Sequence, residues 1–304
     1  MPTWSVLLNE AKKVGAKDPN AAIEYIAKQK SLFLKILSKK TGRNTILYFS
    51  GFLQKPPTND ASINDLDINA FMENIHGLDK KRGLDLILHT PGGDLAATEQ
   101  IIKYLKTCFN GDIRAIIPQM AMSAGSMIAV SCKSVVMGKQ SSLGPFDPQL
   151  NGVPCQSAIR EFYKAVDDVS RNPASLGLWQ AILSKLNPTF LTLCAQADEL
   201  AEELTEKILA DKDIKKITKE KIKKTFAKNE DSKTHSRHFD RDKCKEAGLD
   251  VVDLDADNEF QDLVLSIHHC CMILAEQTPA IKIVENNIGG CYIRNIRMPA
   301  QVQV

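Results

Sequence analysis

Residues 84–93 read LDLILHTPGG, and residues 114–126 read RAIIPQMAMSAGS. Each stretch begins with a short apolar run that predicts a buried strand, and glycine and other small residues follow it. Open α/β sheets build their sites at the carboxyl ends of their strands. The two stretches therefore predict two glycine-bearing turns at one edge of a parallel sheet.

The flanking sequence alternates between predicted strands and helices. NTILYFSGF (44–52) and KSVVMGKQ (133–140) predict two more buried strands. DINAFMENIHGL (67–78) and DLAATEQIIKYLKTCF (94–109) place apolar residues at helical spacing. Because such alternation is typical of stacked β/α crossovers, we expect an α/β fold with a mainly parallel sheet and added helices.

Three regions are expected along the chain. Residues 1–43 predict a basic, amphipathic helical extension, residues 44–290 the main domain, and residues 291–304 a C-terminal tail. Within the main domain, the sequence from 155 to 230 is mostly helical in pattern and predicts a helical elaboration of the sheet.

Composition limits the class of protein. The chain has 304 residues, 43% of them hydrophobic and 25% charged, and a formal net charge of +2. This balance is typical of globular proteins and excludes disordered, collagen-like and coiled-coil chains. The near-neutral charge argues against nucleic acid as a partner. Eight scattered cysteines without a C-x-x-C pair indicate reduced thiols and a cytoplasmic location.

The N-terminal helix allows two interpretations. Residues 19–40 place Ile26, Phe33 and Leu37 at helical spacing between lysines, and residues 1–45 carry nine Lys/Arg against three Asp/Glu. The helix either packs on the main domain or contacts a membrane surface. Since there is no run of about 18 apolar residues and no secretory segment, we expect no membrane span.

The first glycine-bearing turn contains Gly92 and Gly93. Glycines let the backbone turn sharply and bring bare N–H groups up to a ligand oxygen. Amides held in this way form an oxyanion hole, which stabilises the charge on a carbonyl oxygen under attack. The simpler interpretation is a strand-to-helix turn without a ligand. His89 precedes the turn and either orients a substrate or ends a buried strand.

The second turn contains Ser123 in the frame Ala121-x-Ser-x-Gly125, a relaxed form of the Gly-x-Ser-x-Gly nucleophile elbow. The small-residue helix that follows adds free N–H groups and positive potential at its N-terminus. Alternatively, Ser123 is only the N-cap of a closely packed helix. The pair of turns, with one helix and one strand between them, is more specific than either turn alone.

LILHTPGGDLAATEQI (86–101), AMSAGSMIAV (121–130) and SSLGPFDPQ (141–149) together resemble the ClpP-class serine peptidases. The resemblance is closest to the serine dehydrogenase proteinases, which are relatives of signal peptide peptidase A, and it covers residues 44–155. It implies a ClpP/crotonase-like spiral of β/β/α units, a serine nucleophile and homo-oligomers.

The resemblance also implies roles for individual residues. By position, Ser123 is the nucleophile, and the N–H groups of Gly93 and Ala124 are the oxyanion donors. ClpP itself uses a histidine roughly 25 residues after the serine, but here position 147 is Asp147. No histidine occurs between His89 and His235. Asp147 therefore either caps a turn before a proline or contacts a residue of the site.

The relatives of signal peptide peptidase A use a lysine as the base, and desolvation lowers the pKa of such an amine enough for it to act as a base. Lys164, 41 residues after Ser123 on a predicted helix, is the expected base. The alternative is a solvated lysine among acidic neighbours. Lys139, near a strand end, and Lys185, in a helix that the sequence predicts less strongly, are weaker candidates.

No metal or cofactor is expected. His235, His238 and Cys244 have a spacing loosely like that of metal ligands, but no second cluster completes the set. His268, His269, Cys270 and Cys271 lie in an apolar helix, where their side chains cannot converge on one metal, so core packing is expected. No phosphate-binding glycine motif occurs, so no nucleotide site is expected.

The sequence thus favours a serine peptidase that cleaves peptide or protein substrates as a homo-oligomer. Ser123 attacks the scissile carbonyl, Lys164 takes its proton, and two amides hold the oxyanion. A crotonase-type acyl-CoA enzyme is the first alternative, and it would need Asp94 or Asp147 as a carboxylate base. A non-catalytic oligomeric scaffold of the same fold is the second.

Overall fold

A computed structural model describes residues 4–16, 18–228 and 233–296. The chain forms two compact units. The first is made of Met1–Leu143 and Phe239–Val304, and the second is Gly144–His238. The second unit contains the segment 155–230 that the sequence predicts to be helical.

The helices of the first unit come from the chain segments that precede and follow the second unit in sequence. They are α1 (Trp4–Val14), α2 (Pro19–Thr41), α3 (Asp67–Ile75), α4 (Leu95–Phe109), α5 (Ala124–Ser131), α10 (Arg241–Ala247) and α11 (Asn258–Gln277). Short 3-10 turns occur at Asn59–Ala61, Lys80–Arg82 and Leu254–Ala256.

A seven-stranded sheet forms the centre of the first unit, in the order β11-β10-β1-β2-β3-β5-β9. Its strands are β1 (Asn44–Ser50), β2 (Leu84–His89), β3 (Ile113–Ile117), β5 (Ser134–Met137), β9 (Val251–Asp253), β10 (Ala280–Asn286) and β11 (Cys291–Asn295). Five neighbouring strands, from β1 to β9, run parallel, while β10 and β11 add antiparallel pairs. The predicted α/β fold with a mainly parallel sheet is therefore confirmed.

Two short strands, β4 (Met120–Ala121) and β6 (Ser142–Leu143), form a small parallel sheet beside the ends of the main strands. All residues of β1, β2 and β10 are buried. Strands covered on both faces are mostly apolar, which explains why β1 and β2 show little alternation in sequence, whereas β10 also contains the buried charged residues Lys282 and Glu285.

Helix α2 has sequence signals at both ends. Asp18 accepts a hydrogen bond from the Asn20 amide at its start, and Gly42 ends it with φ +70°. Ile26, Phe33 and Leu37 all lie in the hydrophobic core of the first unit, where α2 packs on α11. The apolar face of the predicted N-terminal helix is thus covered by protein.

The sequence after residue 290 is partly a strand. The tail expected over 291–304 begins as β11, which pairs with β10 at the edge of the sheet. The structure extends through residue 296, so the rest of the expected tail lies outside the described residues.

The second unit contains α6 (Cys155–Arg171), α7 (Leu176–Leu183), α8 (Phe190–Ala210) and α9 (Lys216–Ala227), with a hairpin of β7 (Gln149–Leu150) and β8 (Val153–Pro154) and a 3-10 turn at Pro173–Ser175. The rings of Phe146 and Phe226 stack with centroids 5.6 Å apart. Across all described residues, no helix combines the length and the apolar character needed to cross a bilayer.

Candidate active site

A backbone bridge between Thr90 and Ala121 joins the two predicted turns in the first unit. The Thr90 amide donates to the Met120 carbonyl at 3.2 Å, and the Met122 amide donates to the Thr90 carbonyl at 3.0 Å. These bonds extend the line of β2 beside β4. The residues that follow, called here the glycine turn (90–93), therefore lie alongside the segment that leads to Ser123.

Gly92 lies directly against the serine. Its φ of +100° is a backbone conformation that side chains disfavour. A Cβ at this position would lie 2.6 Å from Ser123 Cβ and 2.7 Å from the Met122 carbonyl oxygen. It would also lie 3.0 Å from the Ala124 nitrogen. Glycine is therefore required here by both the space and the conformation.

Gly93 is held from the other side by Ile63. The Ile63 amide donates to the Gly92 carbonyl at 2.8 Å, and the Asp94 amide donates to the Ile63 carbonyl at 2.9 Å. A Cβ on Gly93 would collide with that carbonyl oxygen. Backbone groups alternate along an extended segment, so the Gly93 N–H faces away from Ile63.

Ser123 has an unusual backbone conformation, with φ 52° and ψ −123°. Positive φ is rare for a residue with a side chain, and strain of this kind concentrates at functional sites. Ser123 occupies the N-cap position of α5, but its hydroxyl makes no capping hydrogen bond to the helix. This geometry fits the strained strand-to-helix turn of a nucleophile elbow.

Two backbone amides beside Ser123 are free to donate. Ala124 is the first residue of α5, where an amide has no acceptor within its own helix. Neither the Ala124 nor the Gly93 amide donates to another atom of the described chain. The positive end of α5 adds to the potential at this point. The site therefore offers donors for a developing oxyanion next to a serine hydroxyl.

His89 lies beneath the glycine turn and does not line it. Its ring is fully buried between Phe49 and Phe52, each with its centroid 5.1 Å away, and His268, 4.7 Å away. Neither ring nitrogen makes a hydrogen bond within the described residues. Burial lowers the pKa of His89 to about 3. His89 is thus neutral and enclosed.

Asp94, a carboxylate that an acyl-CoA enzyme could use as a base, is engaged in the fold. Its side chain accepts a hydrogen bond from the Ala97 amide at 2.8 Å and caps α4. Such a cap stabilises the helix start.

The second unit contains a histidine–carboxylate pair. His235 Nδ1 lies 3.0 Å from Asp147 Oδ1, and the carboxylate is only 1% exposed while the imidazole is 24% exposed. When the Nδ1–H of the imidazole donates a hydrogen bond to a carboxylate oxygen, the lone pair of the ring is on Nε2. His235 Nε2 makes no hydrogen bond to the described residues. The pair has the arrangement of an oriented general base.

The chain matches the model of a protein family over residues 51–273, and that family is described as ClpP-like SDH-type serine proteinase. The match covers more than half of the chain and includes the glycine turn, Ser123 and the His235–Asp147 pair. This chain is an SDH-type serine proteinase by family.

Two curated relatives were also found, both uncharacterized proteins of Methanocaldococcus jannaschii. One is 33% identical over 168 residues, which cover 55% of this chain and 51% of the relative. The other is 38% identical over 94 residues, which cover 31% of this chain and 32% of the relative. The chain thus spans about half the length, or less, of the curated relatives that it matches.

The predicted lysine bases of this SDH-type proteinase are all exposed. Lys164 lies on α6 in the second unit with an exposed side chain, and Lys185 is exposed just beyond α7. Lys139, 80% exposed, lies 3.6 Å from Asp255 in an ion pair. A lysine acts as a base when burial favours its neutral amine. None of these three positions provides that burial within its own unit.

The sequence alone does not pair Asp147 with His235. It favours Asp147 as a turn residue or as a contact of a site residue, and His235 as a loose metal ligand, whereas the structure pairs the two across 88 residues of sequence. One signal was available. Of the histidines after position 147, His268 and His269 lie in an apolar helix, which leaves His235 and His238. In the part of the chain that the structure describes, no three His, Cys, Asp or Glu side chains form a group that could hold a metal.

Proposed function

We propose that this SDH-type proteinase is a serine endopeptidase in which Ser123 is the nucleophile and the Gly93 and Ala124 amides hold the oxyanion. The observation that carries the proposal is the strained Ser123 backbone beside the glycine turn, with two amides that have no acceptor. A turn with only a structural role would not need strain of this kind, which costs about 1–3 kcal/mol.

The reaction proceeds in two steps. Ser123 Oγ attacks the scissile carbonyl carbon, its proton moves to the base, and the carbonyl oxygen becomes an oxyanion bonded to the two amides. The C–N bond then breaks as the base returns the proton to the leaving amine, which gives an acyl-enzyme. Water hydrolyses the acyl-enzyme by the same route and regenerates the hydroxyl.

We propose His235 as this base, in place of the lysine that the sequence favoured. The support is chemical. Asp147 is buried and accepts from Nδ1, so it fixes the tautomer in which Nε2 can accept a proton and stabilises the imidazolium that forms. Lys164, by contrast, is exposed and lacks the apolar surroundings that a lysine base requires.

A fluorophosphonate probe tests the nucleophile. Its phosphorus bonds to Ser123 Oγ, the P–F bond breaks, and fluoride leaves while the proton passes to the base. We expect the wild-type chain to be labelled and Ser123→Ala not to be labelled. Equal labelling of both would refute the nucleophile, and no labelling of either would favour the scaffold of the same fold.

The base is tested by the labelling rates of matched variants. We expect Asp147→Asn to lower the rate by about 10⁴, because an amide in this position favours the wrong imidazole tautomer. His235→Ala should have an effect of similar size, and Lys164→Ala should remain near the wild-type rate. The reverse ranking, with Lys164→Ala inactive and His235→Ala active, would assign the base to the lysine. Thermal melts of each variant control for folding.

A further inference from the structure

A fully buried ion pair lies behind the glycine turn in the first unit. Lys282 on β10 is 0% exposed and Asp67 at the start of α3 is 1% exposed. The Lys282 ammonium lies 2.8 Å and 2.7 Å from the two carboxylate oxygens of Asp67. Tyr48 adds a hydrogen bond to Asp67 at 2.9 Å. Burial lowers the pKa of Lys282, and the charge of Asp67 opposes this effect.

The pair binds both neighbours of Ile63. Lys282 Nζ donates to the Ser62 carbonyl at 2.7 Å, and the Asn64 amide donates to Asp67 Oδ2 at 3.0 Å. One partner thus fixes the residue before Ile63, and the other fixes the residue after it. Ile63 in turn is hydrogen-bonded to Gly92 and Asp94, on either side of Gly93.

The lysine has no capacity left for another role. An ammonium has three N–H donors, and here the two oxygens of Asp67 and the Ser62 carbonyl accept from them. It therefore cannot serve as a proton acceptor without losing the contacts that hold it.

Stability alone does not explain the pair. A buried ion pair often stabilises a fold no better than apolar residues of the same volume, because desolvation offsets the attraction between the charges. What apolar side chains could not provide is a donor to the Ser62 carbonyl and an acceptor for the Asn64 amide.

We propose that Lys282 and Asp67 are positioning residues for the oxyanion hole: they fix Ile63, and Ile63 fixes the Gly93 amide. The inference rests on the proposed function for its catalytic consequence, although the structural link to Gly93 can be measured without activity. Neither residue touches the substrate. A shift of about 1 Å in a catalytic group can lower a rate by about 100-fold, so small movements of this support matter.

The first unit offers a matched control on the same strand. Lys30 on α2 and Glu285 on β10 form a second buried pair, 2.7 Å apart and 2% and 4% exposed. The side chain of Glu285 also accepts from the Ser31 hydroxyl. Within the described chain, no side-chain hydrogen bond links this pair to residues 61–64 or to the glycine turn. The two buried pairs therefore differ mainly in that only the Lys282–Asp67 pair is hydrogen-bonded to the backbone on either side of Ile63.

The experiment compares two apolar replacements, Lys282→Met/Asp67→Leu and Lys30→Met/Glu285→Leu, in the full chain. Fluorophosphonate labelling gives the maximal rate of inactivation and the probe concentration at half-maximal rate. Hydrogen exchange is followed at the Asp94 amide, and thermal melting reports global stability.

We expect the Lys282/Asp67 replacement to lower the maximal rate about 10- to 100-fold, with the half-maximal probe concentration unchanged and faster exchange at Asp94. The Lys30/Glu285 replacement should retain the wild-type rate and the wild-type exchange at Asp94. Lys282→Arg, which keeps the charge but not the ammonium geometry, provides the second variant if the apolar replacement does not fold. It should also lower the maximal rate.

Equal effects of the two replacements on the maximal rate, or an unchanged rate and unchanged exchange at Asp94 after loss of Lys282, would overturn the positioning role. Failure of the proposed function gives a different result. The wild-type chain would then not be labelled at Ser123, while exchange at Asp94 would still report whether the pair holds the turn.

Discussion

The buried histidines beneath the glycine turn should make the first unit sensitive to acid. His89 is 0% exposed and its pKa is lowered to about 3 by burial. His268 is 4% exposed, and burial, followed by the charges of His89 and His269, holds its pKa well below the ordinary 6.5. In the unfolded chain both histidines regain ordinary values.

The sign and size of the effect follow from proton linkage. Between about pH 6.5 and pH 3 the unfolded state binds a proton at position 89 and the folded state does not, so stability falls as the pH falls. Integrated from pH 7 to pH 5, the loss is about 2 kcal/mol for His89 alone. Small domains have about 5–15 kcal/mol of stability in total, so this loss is a large fraction.

The perturbation is His89→Gln, which removes the titration at a similar side-chain size. Urea unfolding at pH 7 and at pH 5 gives the pH-dependent loss for each protein. Because the comparison is made within each protein, any fixed cost of the substitution cancels. We expect the variant to lose about 2 kcal/mol less than wild type between the two pH values.

The control is His76→Gln, since His76 is exposed. It should lose as much stability as wild type between pH 7 and pH 5. If His89→Gln also loses as much as wild type, then His89 is hydrated or protonated in the folded chain, and the reasoning from its burial is wrong.

Two further predictions concern Gly92 in the glycine turn and the adjacent Ser123. Gly92→Ala should lower the labelling rate at least about 100-fold, because the alanine Cβ would lie 2.6 Å from Ser123 Cβ and must displace the serine. Labelling kinetics on a variant that melts cooperatively check this prediction. A near-wild-type rate would show that the turn relaxes at no cost to activity. Ser123→Gly should have a higher melting temperature than Ser123→Ala, with a difference that corresponds to about 1 kcal/mol of unfolding free energy, because glycine accepts the φ of 52° without strain. Equal melting temperatures would mean that the serine backbone is not strained.

The sequence was most informative where the structural requirement is local. The apolar run of β2, the glycines after it and the small residues around Ser123 are close in sequence to the turns that they form. Gly92 can be recognised because any larger residue would collide with the adjacent segment. Strand ends and tight turns of this kind restrict which residue types can occupy them, so they can be recognised in the sequence.

The proton acceptor cannot be recognised from a local sequence pattern in the same way. An oriented base needs one histidine and one carboxylate, and their spacing is set by whatever chain lies between them. Asp147 and His235 are 88 residues apart, separated by the helices of the second unit. Spacing taken from relatives therefore pointed to Lys164, a residue whose exposure only a structure reveals.

The ion pair that supports the oxyanion hole in our proposal is even harder to predict from a sequence motif. Lys282 and Asp67 are 215 residues apart, and neither belongs to a recognisable sequence motif. Their importance comes from contacts with the backbone of Ser62 and Asn64, which any residue type would present. A sequence motif consists of side chains that the chemistry requires. This pair instead binds backbone atoms, which are the same in nearly every residue type and therefore leave no pattern in the sequence. Substitutions at Lys282 should therefore be harmful for a reason that inspection of the glycine and serine motifs would never suggest, and the matched pair at Lys30 and Glu285 separates that reason from the general cost of losing a buried charge.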